Sequence, residues 1–291
     1  MKPAPFAYYD PSTLEEAVSL LDAQGGEAKL IAGGQSLVPL LNMRLARPTA
    51  VIDLNRIDGL SYIREEDGGL AIGAMTRQRD IERSEVVQRR QPLLHAATKL
   101  IAHPQIRNRG TIGGSIAHAD PAAEYPALVL ALDAQLRVLG PKGERTIAAG
   151  DFFVTYLTTA LEPSEVVTEV RLPALADRTG WSVLELSRRH GDFALAGVIT
   201  TLTLAQSGSI DDARVVLFGV AATPLRATAA EALLRGEQPS ESLFAEAGRA
   251  AASALEEPLS DIHASAEYRR HLVSVLTRRA LTEAAGRVRA L

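Results

Sequence analysis

Ala32-Gly33-Gly34-Gln35-Ser36 and, well downstream, Thr111-Ile112-Gly113-Gly114-Ser115 are the two stretches on which the reading of this chain turns. Each sets a glycine pair with hydroxyl neighbours beside an apolar run. Adjacent glycines let a backbone take positive φ and approach a ligand without interference from Cβ, and the N–H groups they expose suit an anionic oxygen. A single pair serves a plain turn equally well. Two pairs of matching chemistry, far apart in sequence and meeting in space, would clasp one pyrophosphate from two sides.

Working outward from the first pair, residues 29–32 form a buried strand that delivers it. Residues 37–45 are helical until Pro48, and Ala50-Val51-Ile52-Asp53-Leu54 is a second strand. Ahead of them, Ser12-Thr13-Leu14-Glu15 has the spacing of a capping box, and Leu14, Ala17, Val18 and Leu21 recur at helical intervals as far as Gly25-Gly26. The order resembles a small βαβ unit with a loop at a strand's C-terminal end, where ligands often bind. After Asn55 the pattern changes. Residues 60–64 and 70–74 pair as a hairpin, and Thr76 is placed to cap a following helix. Residues 92–102 are helical, Asp120-Pro121 suits the N-cap and first position of an apolar helix over 122–132, and 136–139 with 146–148 form a second hairpin. Residues 165–172 read as a strand closed by Pro173. From Trp181, three strands over 183–187, 194–204 and 214–220 precede three helices over 228–235, 240–255 and 266–290. Strands followed by helices predict an α+β unit whose antiparallel sheet is covered on one side.

Composition limits the chemistry. The 291 residues carry 31 basic and 35 acidic side chains, a net charge of −4, which offers no general attraction to nucleic acid. Cysteine is absent, so disulfides, thiolate metal sites, iron–sulfur ligation and a cysteine nucleophile are excluded from these residues. No apolar run approaches a membrane span and no signal core follows Met1, which predicts a soluble, cytoplasmic protein. The common dinucleotide, P-loop, hydrolase-elbow and zinc-protease signatures are missing. His118 and Asp120 could form a dyad, and with no third ligand beside them a hydrogen-bonding role is the simpler one. Glu124 falls on the first turn of its helix, where a carboxylate favours the helix dipole. Arg188-Arg189 could meet a phosphate or an acidic partner, or stand solvated.

Several ordered motifs together carry a resemblance. They are Lys29-Leu30-Ile31-Ala32-Gly33-Gly34-Gln35-Ser36-Leu37-Val38-Pro39 with Val51-Ile52-Asp53-Leu54, Ile106-Arg107-Asn108-Arg109-Gly110-Thr111-Ile112-Gly113-Gly114-Ser115, and Ala119-Asp120-Pro121-Ala122-Ala123-Glu124. With Gly191-Asp192-Phe193-Ala194 and Gly219-Val220-Ala221-Ala222-Thr223-Pro224-Leu225-Arg226, they resemble the medium, FAD-binding subunit of the molybdenum hydroxylases, of the carbon monoxide dehydrogenase and xanthine dehydrogenase kind. The resemblance implies an overall α+β fold. A PCMH-type FAD-binding region of two α/β subdomains, 1–55 and 56–176, would precede a C-terminal α+β domain, 177–291, with a three-stranded antiparallel sheet and helices. It implies that FAD lies between the subdomains, with Ala32, Gly33, Gly34, Gln35 and Ser36 and Thr111, Ile112, Gly113, Gly114 and Ser115 along the pyrophosphate and ribityl chain. Ile101, Asp120, Glu124 and Leu161 would lie nearby, and Phe193 would flank the isoalloxazine.

The implied role is electron transfer through FAD to an external acceptor, a quinone, a cytochrome, NAD or oxygen, with no catalytic side chain in this chain. A large subunit would hold the molybdenum cofactor and hydroxylate the substrate, and a small subunit would carry two [2Fe–2S] clusters, in an (LMS)2 heterohexamer. The absence of cysteine agrees with that division. Three positions depart from relatives: Gln35 stands for a histidine, Ser115 for a frequent asparagine and Phe193 for a tyrosine, so the resemblance does not name carbon monoxide as substrate. Two other readings stand beside this one. One is a stand-alone PCMH-type flavin oxidoreductase, and the other is a flavin-free scaffold in which the glycine pairs are only turns.

Overall fold

A computed structural model describes residues 1–289. The N-terminal lobe is a three-stranded parallel sheet in which Ala50–Asp53 lies between Ala7–Tyr9 and Ala28–Ile31. The strand–helix–strand unit around the first glycine pair is present, with a short helix at Leu37–Asn42. The three-residue strand Ala7–Tyr9 has too little pattern to be read from sequence; it is pinned by Tyr8, whose hydroxyl donates to Asp53 Oδ2 at 2.7 Å. The helix Leu14–Ala23 buries Ala17, Val18 and Leu21 against this sheet. Its cap is displaced by one residue from the expected box. Thr13 Oγ1 accepts from Glu16 N at 3.2 Å, and Glu16 Oε2 accepts from Ser12 N at 3.0 Å, so Glu16 rather than Glu15 reaches back.

The second lobe is a five-stranded antiparallel sheet, ordered Ile63–Glu66, Gly69–Gly73, Val166–Leu172, Gln135–Gly140, Gly143–Ala148. Both expected hairpins are its outer pairs. One face is covered by the helices Pro92–Leu100, Ile112–His118 and Glu124–Ala131, which bury Leu93, Leu94, Ile112, Ile116 and Leu128 against Leu70, Ile72, Leu136 and Val170. Two capping expectations fail here. Thr76 faces the sheet, its hydroxyl bonding both the N–H and the carbonyl of Tyr62, while Arg77 stands unassisted at the N-cap of Gln78–Arg83. Asp120 closes its own turn, accepting from Ala122 N at 2.9 Å, and the helix begins only at Glu124.

The C-terminal part is a four-stranded antiparallel sheet, Thr179–Leu186, Ala196–Leu204, Ile210–Phe218 and the two-residue Leu225–Arg226, one strand more than expected. The helices Thr228–Leu234, Glu241–Ser253 and Ala266–Arg289 cover one face. The last helix packs on bare backbone, since a Cβ on Gly180 would stand 1.9 Å from Ala284 O. Its expected final residue, Ala290, lies outside the described residues. The sheet is not open on its other face. Ile199, Val216 and Phe218 join the core of the second lobe, with Trp181 and Val183 packed beside them, so the two lobes share one apolar seam. The near-continuous burial of Ala196–Leu204 is the sign of a strand covered on both faces. Among the described residues no helix is long and apolar enough to cross a membrane.

Candidate cofactor-binding site

The first glycine pair leaves the end of the strand Ala28–Ile31 in a turn that needs positive φ at Gly34, 71°. Gln35 braces it, Nε2 donating to Gly33 O at 3.0 Å, and Val38 N returns to Gly34 O at 3.0 Å. Ser36 stands at the N-cap of Leu37–Asn42 without using its side chain to cap it. Among the described residues, the backbone N–H groups of Gly33, Gly34, Gln35 and Ser36 donate to no protein acceptor. Consecutive unshared donors around a left-handed residue suit an anionic oxygen.

The second pair is built otherwise. It lies inside the first turn of the helix Ile112–His118 and not in a loop, neither glycine having positive φ. Its N–H groups are occupied. Ile112 N donates to Thr76 O at 3.2 Å, Gly113 N to Ala74 O at 2.9 Å, Gly114 N to the N-cap Thr111 Oγ1 at 3.1 Å and Ser115 N to Thr111 O at 3.1 Å. The expectation that both stretches present free donors therefore holds for the first alone. What the second pair supplies is proximity. A Cβ on Gly113 would come within 2.5 Å of Ala74 Cβ, so only glycine lets the helix start against the sheet.

The two stretches do meet. A Cβ on Gly33 would lie 2.3 Å from Arg109 O and 2.8 Å from Gly110 Cα, and one on Gly114 would reach Ala32 Cβ at 3.5 Å. Residues that the sequence did not single out hold them together. Asn55 Nδ2 donates to Ala32 O at 2.8 Å, Arg77 Nη2 donates to Asn55 Oδ1 at 2.5 Å, and the other terminal nitrogen of Arg77 donates to the Arg109 carbonyl. Burial, and then the neighbouring Arg109 guanidinium, press the Arg77 group below its ordinary value, while Asp80 and Asp53 oppose them. Burial alone would raise the Asp53 carboxyl, but hydrogen bonds from Tyr8 and then Asn55 outweigh it and keep it below the usual range. A cavity of about 360 Å³ opens beside the turn, lined by Gly33, Gly34, Gln35, Val38, Ile106 and Arg109 among others. No signal within a few residues could reveal this relay, because its members come from three separate segments.

The remaining expected residues are more dispersed. Ile101 is buried at the end of Pro92–Leu100, its carbonyl held by Arg107 Nη1 at 2.7 Å while Arg107 Nε pairs with Glu82 at 3.0 Å. Leu161 follows the small hairpin Phe153–Thr155 and Thr158–Thr159 and packs on the same core as Ile101. Phe193 is 65% exposed, on a loop seated over His103, for a Cβ on Gly191 would touch that ring at 2.4 Å. Asp120 and Glu124 lie near one another beside the seam, together with Glu185, which was not foreseen. Burial first, and Glu185 second, push the Glu124 carboxyl up to about 8; burial pushes Glu185 up to about 7. Burial lowers His118 although Asp120 opposes it, and among the described residues no three His, Cys, Asp or Glu side chains gather as a metal group.

A strand-end turn of unshared N–H groups, two arginines and a glycine-tight contact with a second lobe make a place suited to a pyrophosphate-bearing cofactor. Comparison with known proteins gives the cofactor and the family. Residues 4–175 match the family described as the FAD binding domain in molybdopterin dehydrogenase, and residues 181–284 match the CO dehydrogenase flavoprotein C-terminal domain. The chain is similar to the alpha subunit of the 6-hydroxypseudooxynicotine dehydrogenase complex of Paenarthrobacter nicotinovorans, 42% identical over 99% of this chain and 97% of that one. It superposes on a chain of carbon monoxide dehydrogenase from Hydrogenophaga pseudoflava with a TM-score of 0.95, 44% identity and 99% of each chain covered. Against quinoline 2-oxidoreductase from Pseudomonas putida 86 the TM-score is 0.94, at 37% identity over 99% of each chain. The chain belongs to the FAD-binding, medium-subunit family of the molybdopterin dehydrogenases, and it is an oxidoreductase subunit with FAD as its cofactor.

Proposed function

We propose that this chain is the electron-transfer flavin subunit of a cytoplasmic molybdenum hydroxylase. It joins a large molybdopterin subunit and a small iron–sulfur subunit in an (LMS)2 assembly, whose [2Fe–2S] clusters supply its electrons. The observation that carries the reading is a cradle of unshared N–H donors in a sequence that has no cysteine, so the flavin site is here and any cluster is in a partner. FAD, when bound, supplies the step between one-electron donors and an external acceptor. The chain's own residues bind and orient. Gly33, Gly34, Gln35 and Ser36 donate N–H groups to the pyrophosphate, and Gly113 and Gly114 let the second lobe close on it. Arg77 and Asn55 lock the two lobes in register. Thr111, Ile112, Ser115, Ile101, Asp120, Glu124 and Leu161 line the cofactor further along, and the exposed Phe193 flanks the isoalloxazine. Residues 1–55 and 56–176 act as the two jaws, and 177–291 as the platform behind the second jaw.

The names of the similar proteins include a nicotine derivative, carbon monoxide and quinoline, which supports a substrate chosen outside this subunit. The test is co-purification with the proteins encoded beside it, followed by an absorbance spectrum, release of the flavin and metal analysis. One FAD per chain, with iron and molybdenum in the complex, is the expected result. FAD on a chain that forms no such complex and is reduced directly by a small molecule would instead indicate a stand-alone flavin oxidoreductase. A colourless complex that takes up no FAD would leave the glycine pairs as turns.

A further inference from the structure

Asp53 ends the middle strand of the N-terminal sheet and caps the turn Leu54–Arg56 that follows it. Both of its oxygens are committed. Oδ1 accepts from Asn55 N at 2.8 Å and from Asn55 Nδ2 at 2.5 Å, while Oδ2 accepts from the Tyr8 hydroxyl at 2.7 Å. One oxygen therefore holds both the backbone and the side chain of Asn55. The Asn55 amide is left a single orientation. Its nitrogen meets two acceptors, Asp53 Oδ1 and Ala32 O at 2.8 Å, and its oxygen meets a donor, Arg77 Nη2. Turned over, the oxygen would face two acceptors and the nitrogen a guanidinium.

Ala32 O belongs to the same planar peptide group as the Gly33 N–H. In a trans peptide the two bonds point in opposite directions, so fixing the carbonyl fixes the N–H. Among the described residues no peptide bond is cis. Glycine offers little resistance to rotation of the peptide planes on either side of it, so the direction of its N–H must be held from outside. The next plane is held in the same way. Gln35 Nε2 donates to Gly33 O at 3.0 Å, and Gly33 O shares its plane with the Gly34 N–H. Two of the four unshared donors are thus aimed from behind by side-chain amides.

We propose that Asp53 is a positioning residue of the cofactor cradle: through Asn55 it holds the Ala32–Gly33 peptide plane and so aims the Gly33 N–H at the pyrophosphate. This rests on the proposed flavin site only in giving that N–H a pyrophosphate to bind. Asp53 itself stays on the far side of Asn55 and acts through its amide. Tyr8 anchors the second oxygen, so the carboxylate cannot swing away from Asn55 without breaking that bond.

The test is the FAD dissociation constant of the full chain, stripped of flavin and titrated by fluorescence quenching. Asp53→Ala and Asn55→Ala should each weaken FAD binding about tenfold. The double variant should bind no more weakly than Asn55→Ala alone, because Asp53 acts only through Asn55. Asp53→Asn keeps an oxygen acceptor for Asn55 and should recover most of the affinity. Losses that multiply in the double variant would show Asp53 acting independently of Asn55 and overturn the proposal. FAD bound equally well by the unaltered chain and Asp53→Ala overturns it too, and leaves the flavin site standing. An unaltered chain that takes up no FAD overturns both.

A second readout needs no substitution. Asn55 Nδ2 carries two protons and has two acceptors, so both side-chain amide protons of Asn55 should exchange with water more slowly than those of a solvated asparagine in the flavin-free protein. Nuclear magnetic resonance of the unaltered chain measures this. Exchange of both protons at the rate of a free side chain would show that the amide is not held, and would overturn the proposal.

Discussion

The two glycine pairs read alike and are built for opposite purposes. At Gly33-Gly34 the chain turns through positive φ and leaves four N–H groups unshared. At Gly113-Gly114 it is helical, and the same four groups are all spent on Thr76, Ala74 and Thr111. In the proposed function the first pair is the receptor and the second a spacer. The difference teaches that a glycine can be required for what its backbone donates or for what its missing Cβ lets approach, and only the partners of its N–H tell which.

Substitutions at the two pairs can break that comparison. Gly33→Ala carries the largest expected effect, because its Cβ would meet backbone at 2.3 Å and the contact between the lobes must open. We expect FAD affinity to fall more than tenfold, beyond about 1.4 kcal/mol, in a flavin titration. Gly113→Ala collides with Ala74 at 2.5 Å and should cost about 1–3 kcal/mol of stability in a denaturant melt, with FAD binding lost in proportion to that distortion. Equal and selective losses of affinity at both sites, with stability unchanged, would erase the distinction between receptor and spacer.

Smaller changes sharpen it. Arg77→Met removes the charged bonds to Asn55 and the Arg109 carbonyl that align the lobes, and its effect should be about 1.5–3 kcal/mol at most, appearing in FAD affinity more than in melting temperature. Thr111→Ala deletes the cap on Gly114 N and should lower stability by about 1 kcal/mol while freeing one donor at the spacer.

Local chemistry made much of this legible. Leu14, Ala17, Val18 and Leu21 predicted a helix that buries three of those four, and the hairpins around Gly68-Gly69 and Gly143 formed where their turn residues stand. Competing local options produced the errors. Thr13 and Ser12 both suit a cap, and the choice went to Thr13 because Glu16 reaches Ser12 N. Thr76 had a helix ahead of it and a strand behind, and it bonded the backbone of Tyr62, just before the strand Ile63–Glu66. Long-range features left no signal at all. The covering of the C-terminal sheet on its second face depends on helices some distance back in the chain, and the Asn55–Arg77 relay joins segments that no window spans together. The convergence of the two glycine pairs was inferred from their matching chemistry, although that chemistry proved to differ at the second.

Amide exchange at single-residue resolution, in the flavin-free chain and after adding FAD, tests the central claim most directly. The N–H groups of Gly33, Gly34, Gln35 and Ser36 should exchange fast without FAD and slowly with it, while those of Ile112, Gly113, Gly114 and Ser115 should be slow in both. Fast exchange at 112–115 that is quenched by FAD, with 33–36 unaffected, would contradict the account by making the helix the receptor and the turn the spacer.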